Sequence, residues 1–486
     1  MNRRDTLKSL FALGLSASAL QALAKSTKST KAPHILWRNG WNINNIGDIG
    51  HVPGALALLR HYIPEAKVTL WAHSDMVFRD KVAQMAGYPS ATVNASTVSR
   101  KVMPGFTLVT GTLDDKGTAD NAALEAAVAS ADIMVIGSGA GILEPVALMR
   151  FHQRTKKPIG MFGITTDSFN FTYFNDGENS PDVKAMRAAS FVFTRDKTSL
   201  RLLAGEDVDG PGGALKDDPN TPVNEAINRS PITQDLRKIP SDFVPDTTFA
   251  FAVRDDKAAQ AFMQAKGLES GKFICVVPRH RWTPTGTPTR QGDSRDTYNA
   301  LYFKTDHDKL RAAIIDYVRT TGNKVAVVPE TIYVISAMGP LIKDGLPDDV
   351  AAKVVVRDGY WLPDEAASVF AHAQAVISLE NHSPIIAAVM GTPFIMVHQI
   401  EDSFKGDMFR DIGLGDWYVQ DINTATGAEI SAILQRIVKD MPAAKAKLAK
   451  AMLFVKERQK FGMDRVRRTL GLSPLGKKGY PKSVFR

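Results

Sequence analysis

From residue 34 onward, short apolar runs rich in β-branched and aromatic residues alternate with longer segments whose apolar positions recur three and four apart. HILWR, KVTLWA, TLVTG, DIMVIGSG, KPIGMFGI and SFVFTR make one series of strand candidates, and FICVVP, KVAVVPE, AKVVVRD, AVISLE and PFIMVH make a second. Between them GALALLRHY, DNAALEAAVASA, EPVALMRFHQRT, DKLRAAIIDYVRTTG and PDEAASVFAHAQ carry the helical period. Strands alternating with helices predict parallel sheets covered by helices. Two series predict an α/β protein of two Rossmann-like domains facing across a cleft, one over residues 34–253 and one over 254–439. The pattern fails between Gly205 and Pro240, where Gly, Pro, Asp and Asn predict a surface excursion (205–240). A basic helical tail, 440–486, is expected to fold back across the first domain.

Length and composition fit this picture. At 486 residues the chain is too long for one ordinary core. Hydrophobic residues make up 44% and charged residues 23%, and no internal apolar run approaches the roughly 18 residues of a membrane span. The formal net charge of +9 is dispersed, without the aromatic and basic interleaving that stacks bases. These features argue against nucleic acid and favour an anionic polysaccharide or oligosaccharide as partner. The lone Cys275 lies in the apolar run FICVV and reads as a buried structural thiol.

The N-terminal stretch MNRRDTLKSLFALGLSASALQALAKS resembles a bacterial twin-arginine export signal. Arg3 and Arg4 precede an apolar segment and a small-residue site at Ala22 to Ala24, although Thr6 stands where a large apolar residue is usual. The alternative is an amphipathic helix belonging to the fold. Read as a signal, residues 1–24 are a leader and 25–33 a polar linker. The mature protein is then periplasmic or secreted, with no stable membrane span after cleavage.

In parallel α/β sheets ligands collect beyond the carboxyl ends of the strands, and four segments put polar residues there. In NGWNINNIGDIGHVPG, Asn45 and Asp48 lie in a glycine-rich turn and His51 lies just before a helix; backbone N–H groups there suit an anion, or the turn is simply capped. In DIMVIGSGAGILEP, Gly137 and Gly139 make a loop able to cradle phosphate or carboxylate, with tight packing as the alternative. In VVPRHRW, Arg279 and Arg281 form a candidate anion clamp and Trp282 a surface for a sugar ring. In ISLENHSP, Glu380 and His382 on an extended strand end would point the same way, a pairing suited to acid–base work. Neither a local metal-binding motif nor a Walker or nucleophile-elbow motif occurs, so no metal and no cofactor are expected.

The order NIGD, DIMVIGSGAGIL, KPIGMFGI, FVFTRDKTSLRLL, VPDTTF, FICVVPR and ISLENHSPIIAAVMGTPFIMV resembles the polysaccharide pyruvyl transferases over residues 34 to 420. That resemblance implies a glycosyltransferase-B-like pair of domains, transfer of pyruvate from phosphoenolpyruvate to two sugar hydroxyls as a ketal, and His382 as catalytic acid. It also matches Arg195 and Asp196 to the family's arginine–aspartate at a helix start. The chain departs from the family at Glu380, where an arginine that helps hold the donor is usual. Exchanging cation for anion reverses a term of about 4 kcal/mol at ~4 Å and an effective dielectric of ~20. Three readings follow: a pyruvyl-transferase-like enzyme, an exported hydrolase or lyase that cleaves a pyruvate ketal or glycosidic bond in an anionic polysaccharide, and a non-catalytic glycan-binding protein.

Overall fold

The computed structural model describes residues 32–88, 93–166, 180–206, 238–284, 295–402 and 404–475. The expected leader, nearly all of the linker and most of the 205–240 excursion lie outside the described residues. The first sheet comprises β1 (His34–Asn39), β2 (Lys67–Ala72), β3 (Thr107–Val109), β4 (Ile133–Ile136), β5 (Ile159–Ile164), β6 (Phe191–Thr194) and β7 (Ser241–Phe243), in the order β3-β2-β1-β4-β5-β6-β7. The second comprises β8 (Phe273–Val277), β9 (Lys324–Val327), β10 (Val354–Val356), β11 (Val376–Ser378), β12 (Phe394–Val397) and β13 (Tyr418–Val419), in the order β10-β9-β8-β11-β12-β13. Every strand pairing is parallel. The architecture is therefore α/β with two Rossmann-like domains facing across a cleft, as the alternation predicts, in the glycosyltransferase-B-like arrangement that the family resemblance implies.

Each apolar run becomes a strand because both sheet faces are covered. In β1, Ile35 and Trp37 enter one core while Leu36 enters the other; in β4, Ile133 and Val135 oppose Met134 and Ile136 in the same way. The helix Ile46–Tyr62 covers the first of these faces. The long helix Met441–Thr469 begins against the second domain through Leu448 and Val455 and ends in the first-domain core through Met463 and Val466. Arg467 holds its far end, donating to the Tyr62 carbonyl at 2.7 Å and pairing with Glu65 at 2.8 Å. Among the described residues no helix is long and apolar enough to cross a membrane.

Direct hydrogen bonds join the two domains at the cleft. Ile46 N–H donates to the Glu330 carbonyl at 3.0 Å and Ile332 N–H to the Asn44 carbonyl at 3.0 Å. On another side Thr198 Oγ1 donates to Asp407 at 2.5 Å and Lys197 N–H to Asp411 at 2.7 Å.

Candidate functional site

The first-domain wall is built on the turn after β1. Asn45 is extended and caps the helix Ile46–Tyr62, its side-chain oxygen accepting from Gly47 N–H at 2.7 Å and Asp48 N–H at 3.4 Å. Asp48 and His51 follow three residues apart, hence on one helical face. Gly47 is a glycine for a reason outside its own domain: a Cβ there would lie 1.9 Å from Cγ of His382. The first turn of this helix is shaped around that histidine.

The second-domain wall is the turn after β11. The strand ends at Ser378, whose hydroxyl donates to the Glu380 carbonyl at 2.7 Å and accepts from Glu380 N–H at 3.0 Å. Asn381 is already helical in its backbone angles, and the helix His382–Val389 follows. The extended strand end expected from the sequence is therefore absent, and Glu380 and His382 turn to different partners. Arg279 Nε lies 3.2 Å from Glu380 Oε1, and its Nη1 pairs with Asp402. His382 Nδ1 lies 3.3 Å from Oε1 of Glu330, a fully buried residue just beyond β9. Glu330 also accepts from Ser383 N–H at 2.6 Å and Ser383 Oγ at 2.7 Å. An anion thus sits on the open N–H groups of the helix and orients the histidine at its first position.

The two walls meet at the histidines. Nε2 of His382 is 2.9 Å from Nε2 of His51, which is itself 3.3 Å from Asp246 Oδ2. Asp246 is fully buried, paired with Arg195 at 2.8 Å and accepting from Thr248 N–H at 2.8 Å; Arg195 Nε donates to Thr165 at 2.7 Å. These partners assign the protons. His382 Nδ1–H donates to Glu330, which leaves its Nε2 lone pair facing the Nε2–H of His51; the buried Nδ1 of His51 has no partner among the described residues and is then a bare lone pair. The centre brings Asp246 and His382 to one nitrogen of His51, its Nε2, and continues through the His382 ring to Glu330, drawn from both domains.

The proton affinities follow from this order. Burial alone would lower the pKa of His382, but Glu330, Asp246 and Asp48 outweigh it and raise it. Burial alone would raise Asp246 and Glu330; His51 and Arg195 hold the first well below the carboxylate range, and His382 with Ser383 lowers the second. Glu380 goes the other way. Burial pushes its pKa up to about 8, Glu330 and Asp402 adding to burial while Arg279 opposes it. Asp402 is driven down because Arg279 and Lys405 overcome its burial. Of two carboxyls on one guanidinium, Asp402 carries the charge and Glu380 keeps a proton near neutral pH.

A cavity of about 220 Å³ opens on these groups. Of the residues expected from the sequence, Asn45, Asp48, His51, Arg279, Trp282, Glu380 and His382 line it. Three do not. Arg281 is buried, donating to both oxygens of Asp306 at 2.8 Å and to Glu401 at 3.0 Å, so its charge is spent inside the domain and it is no anion clamp. Gly137 and Gly139 serve packing: a Cβ on the first would lie 2.2 Å from Asn39 Nδ2, and one on the second 3.1 Å from Leu143 and 3.2 Å from Trp41. The glycine-rich loop gives the cavity only Ala140.

The sequence patterns do not single out Asp246, Glu330, Asp402 or Lys405 as site residues, and they give Arg195 only through the family resemblance. In fact Asp196 caps the helix Lys197–Leu203, accepting from Ser199 N–H at 2.6 Å, while Arg195 turns to Asp246. The available signal was position: Glu330 and Asp402 each follow an apolar strand run. As for metal, Asp48, His51 and His382 offer ligand atoms lying within 4.8 Å of one another.

No family model matches the chain, and no curated protein matches it. Solved structures resemble it at low identity. An S. aureus MnaA–UDP structure is 10% identical, covering 92% of this chain and 100% of that one, with a TM-score of 0.49. The UDP-GlcNAc 2-epimerase of Neisseria meningitidis bound to UDP-GlcNAc is 9% identical over 90% and 100%, with a TM-score of 0.46. A ugt transferase from Siraitia grosvenorii in complex with UDP is 10% identical over 90% and 98%, with a TM-score of 0.45.

Proposed function

We propose that this protein is an enzyme acting on a sugar or polysaccharide in the interdomain cleft, of the pyruvyl-transferase kind, with His382 as the proton-transferring group. The carrying observation is the contact of His382 with His51 across the cleft, with a buried carboxylate at each: Glu330 on the far nitrogen of His382, and Asp246 beside the same His51 Nε2 that meets His382. Such a pair can give a proton to one reacting atom and take one from another. In pyruvyl transfer His382 in its doubly protonated form gives its Nε2 proton to the enol carbon of phosphoenolpyruvate, two sugar hydroxyls add to the adjacent carbon, and the carbon–oxygen bond to phosphate breaks; one hydroxyl proton returns to His382 and the other leaves with the phosphate. Arg279 and Lys405 are the cations available to the donor's anionic groups. The export-signal pattern at the N-terminus supports a periplasmic or secreted location, which fractionation of cells expressing the full chain would test.

One observation favours a second reading. Arg279 is already engaged by Asp402 and Glu380, and Asp48 adds a further carboxylate to the cavity wall. A multiply charged donor gains less there than at an unpaired arginine, so cleavage of a pyruvate ketal or glycosidic bond in an anionic polysaccharide suits the same proton-transfer pair. The test is one incubation series with anionic polysaccharides, with and without phosphoenolpyruvate. Phosphate release that requires both donor and glycan is the expected result. Free pyruvate or new reducing ends without donor would replace transfer by cleavage, and glycan binding with neither reaction would leave a binding protein.

A further inference from the structure

We propose that Asp48, His51 and His382 form a binding site for one divalent transition-metal ion, which replaces the hydrogen bond between the two histidines and sits beside the line joining their Nε2 atoms. The set has two imidazoles and one carboxylate, a ligand combination that binds such ions on one face and leaves the other face open. Here the open face is the cavity.

The geometry supports this in three ways. First, the Nε2 atoms of His51 and His382 lie 2.9 Å apart while the ring centroids are only 4.8 Å apart, so the rings are tilted towards a common point beside the line joining the nitrogens rather than aimed head-on. With metal–nitrogen bonds of about 2.1 Å, nitrogens that far apart subtend about 90°, the angle between neighbouring ligands of an octahedral ion. Second, the outer ligand of one histidine is in place: Glu330 holds His382 Nδ1 at 3.3 Å, which fixes the tautomer that presents Nε2 and makes it a better donor. Third, the surroundings carry an excess of negative charge. Asp48, Asp246 and Glu330 gather around the two rings, and against them stands Arg195, paired with Asp246. Asp48 has the furthest to move, its oxygen lying within 4.8 Å of the nitrogens. Its side chain is partly exposed and has no ion pair among the described residues, so nothing holds it back. The sequence hid this site because Asp48 and His51 sit in one domain and His382 arrives from the other, 331 residues beyond His51.

Proton and metal are alternatives at one place. Binding the ion requires the His51 proton to leave Nε2 for Nδ1, and the ion then blocks both Nε2 atoms that the proposed proton transfer uses, so the metal-loaded protein would be its inactive form.

The experiment is a titration of the untagged full-length chain with Co²⁺ alone, followed by visible absorption and by thermal unfolding. The expected result is a visible band saturating at one ion per chain and a rise in unfolding temperature with Co²⁺ concentration. Asp48→Asn, at a partly exposed position, should weaken binding at least tenfold, and His51→Ala should abolish the band. A band and thermal shift unchanged by Asp48→Asn, or no band at all, would overturn the proposal, even if His51→Ala fails to fold. The titration uses no sugar, so its failure leaves the reading of the cleft as a sugar-directed site intact, and failure of the sugar assays leaves the metal site intact.

Discussion

The turns after β4 and β11 occupy the same place in their sheets, each beside the first strand of its domain and each running into a helix. They have divided the labour differently. In the first, Gly137 and Gly139 leave room for Asn39, Trp37, Trp41 and Leu143, and Ser138 Oγ accepts from Thr247 N–H at 3.0 Å. That turn braces the segment holding Asp246 and sends almost nothing into the cavity. In the second, Glu380, Asn381 and His382 all reach it. Position beyond a parallel strand brings a segment near a ligand. Whether the segment does chemistry depends on which side chains the packing leaves free.

The largest effect should come from the second turn. Replacing His382 with Gln keeps a hydrogen-bonding side chain against Glu330 but removes the transferable proton, and should lower the rate in the phosphate- or pyruvate-release assay by about 10²–10⁴-fold. The unfolding midpoint should stay close to that of the parent. A variant with full activity would end the division drawn here.

Next in size is a contrast within the turn after β8, which carries both kinds of residue two positions apart. Arg281→Met strands Asp306 and Glu401 in the interior and should cost about 3–5 kcal/mol in denaturant unfolding. Arg279→Met leaves Asp402 with Lys405 at 3.1 Å, so it should unfold closer to the parent while losing affinity for anionic glycans. Equal losses of stability would mean that the cavity arginine is as structural as its buried neighbour.

A smaller effect is expected in the first turn. Gly137→Ala drives a methyl group into Asn39 and Trp37 and should destabilise by about 1–3 kcal/mol. Activity per folded molecule should hold, because no side chain of the cavity moves. A loss of glycan affinity without loss of stability would restore this loop as a ligand cradle.

The fold was largely legible because buried parallel strands leave a dense apolar signature. The strands that escaped are β7 and β13, three and two residues at sheet edges, too short to show a pattern. At the site, Asp48, His51, Glu380 and His382 were legible as polar residues where apolar strands hand over to helices. Asp246 and Glu330 were not. Asp246 caps a short helical turn and reads locally as that alone, and Glu330 earns its role only when another strand's turn delivers His382 to it. Arg279 and Arg281 are the same residue type two apart in an irregular segment, and only the acids that tertiary packing supplies distinguish them.

The smallest effect separates scaffold from ligand contact at a residue that does line the cavity. Asn45 accepts from Gly47 and Asp48 N–H, so Asn45→Ala should cost about 1 kcal/mol, the usual loss on removing a helix cap. Asn45→Asp supplies an equivalent oxygen with a charge favourable at a helix N-terminus, and should recover that stability. Both variants leave His51 and His382 intact. If Asn45 acts as a cap, the order of unfolding midpoints should be parent and Asp together, then Ala, with substrate affinity following the same order. If instead it touches the sugar through its amide, Asp would be stable yet bind poorly. That outcome would move this one residue of the first-domain wall from scaffold to substrate contact.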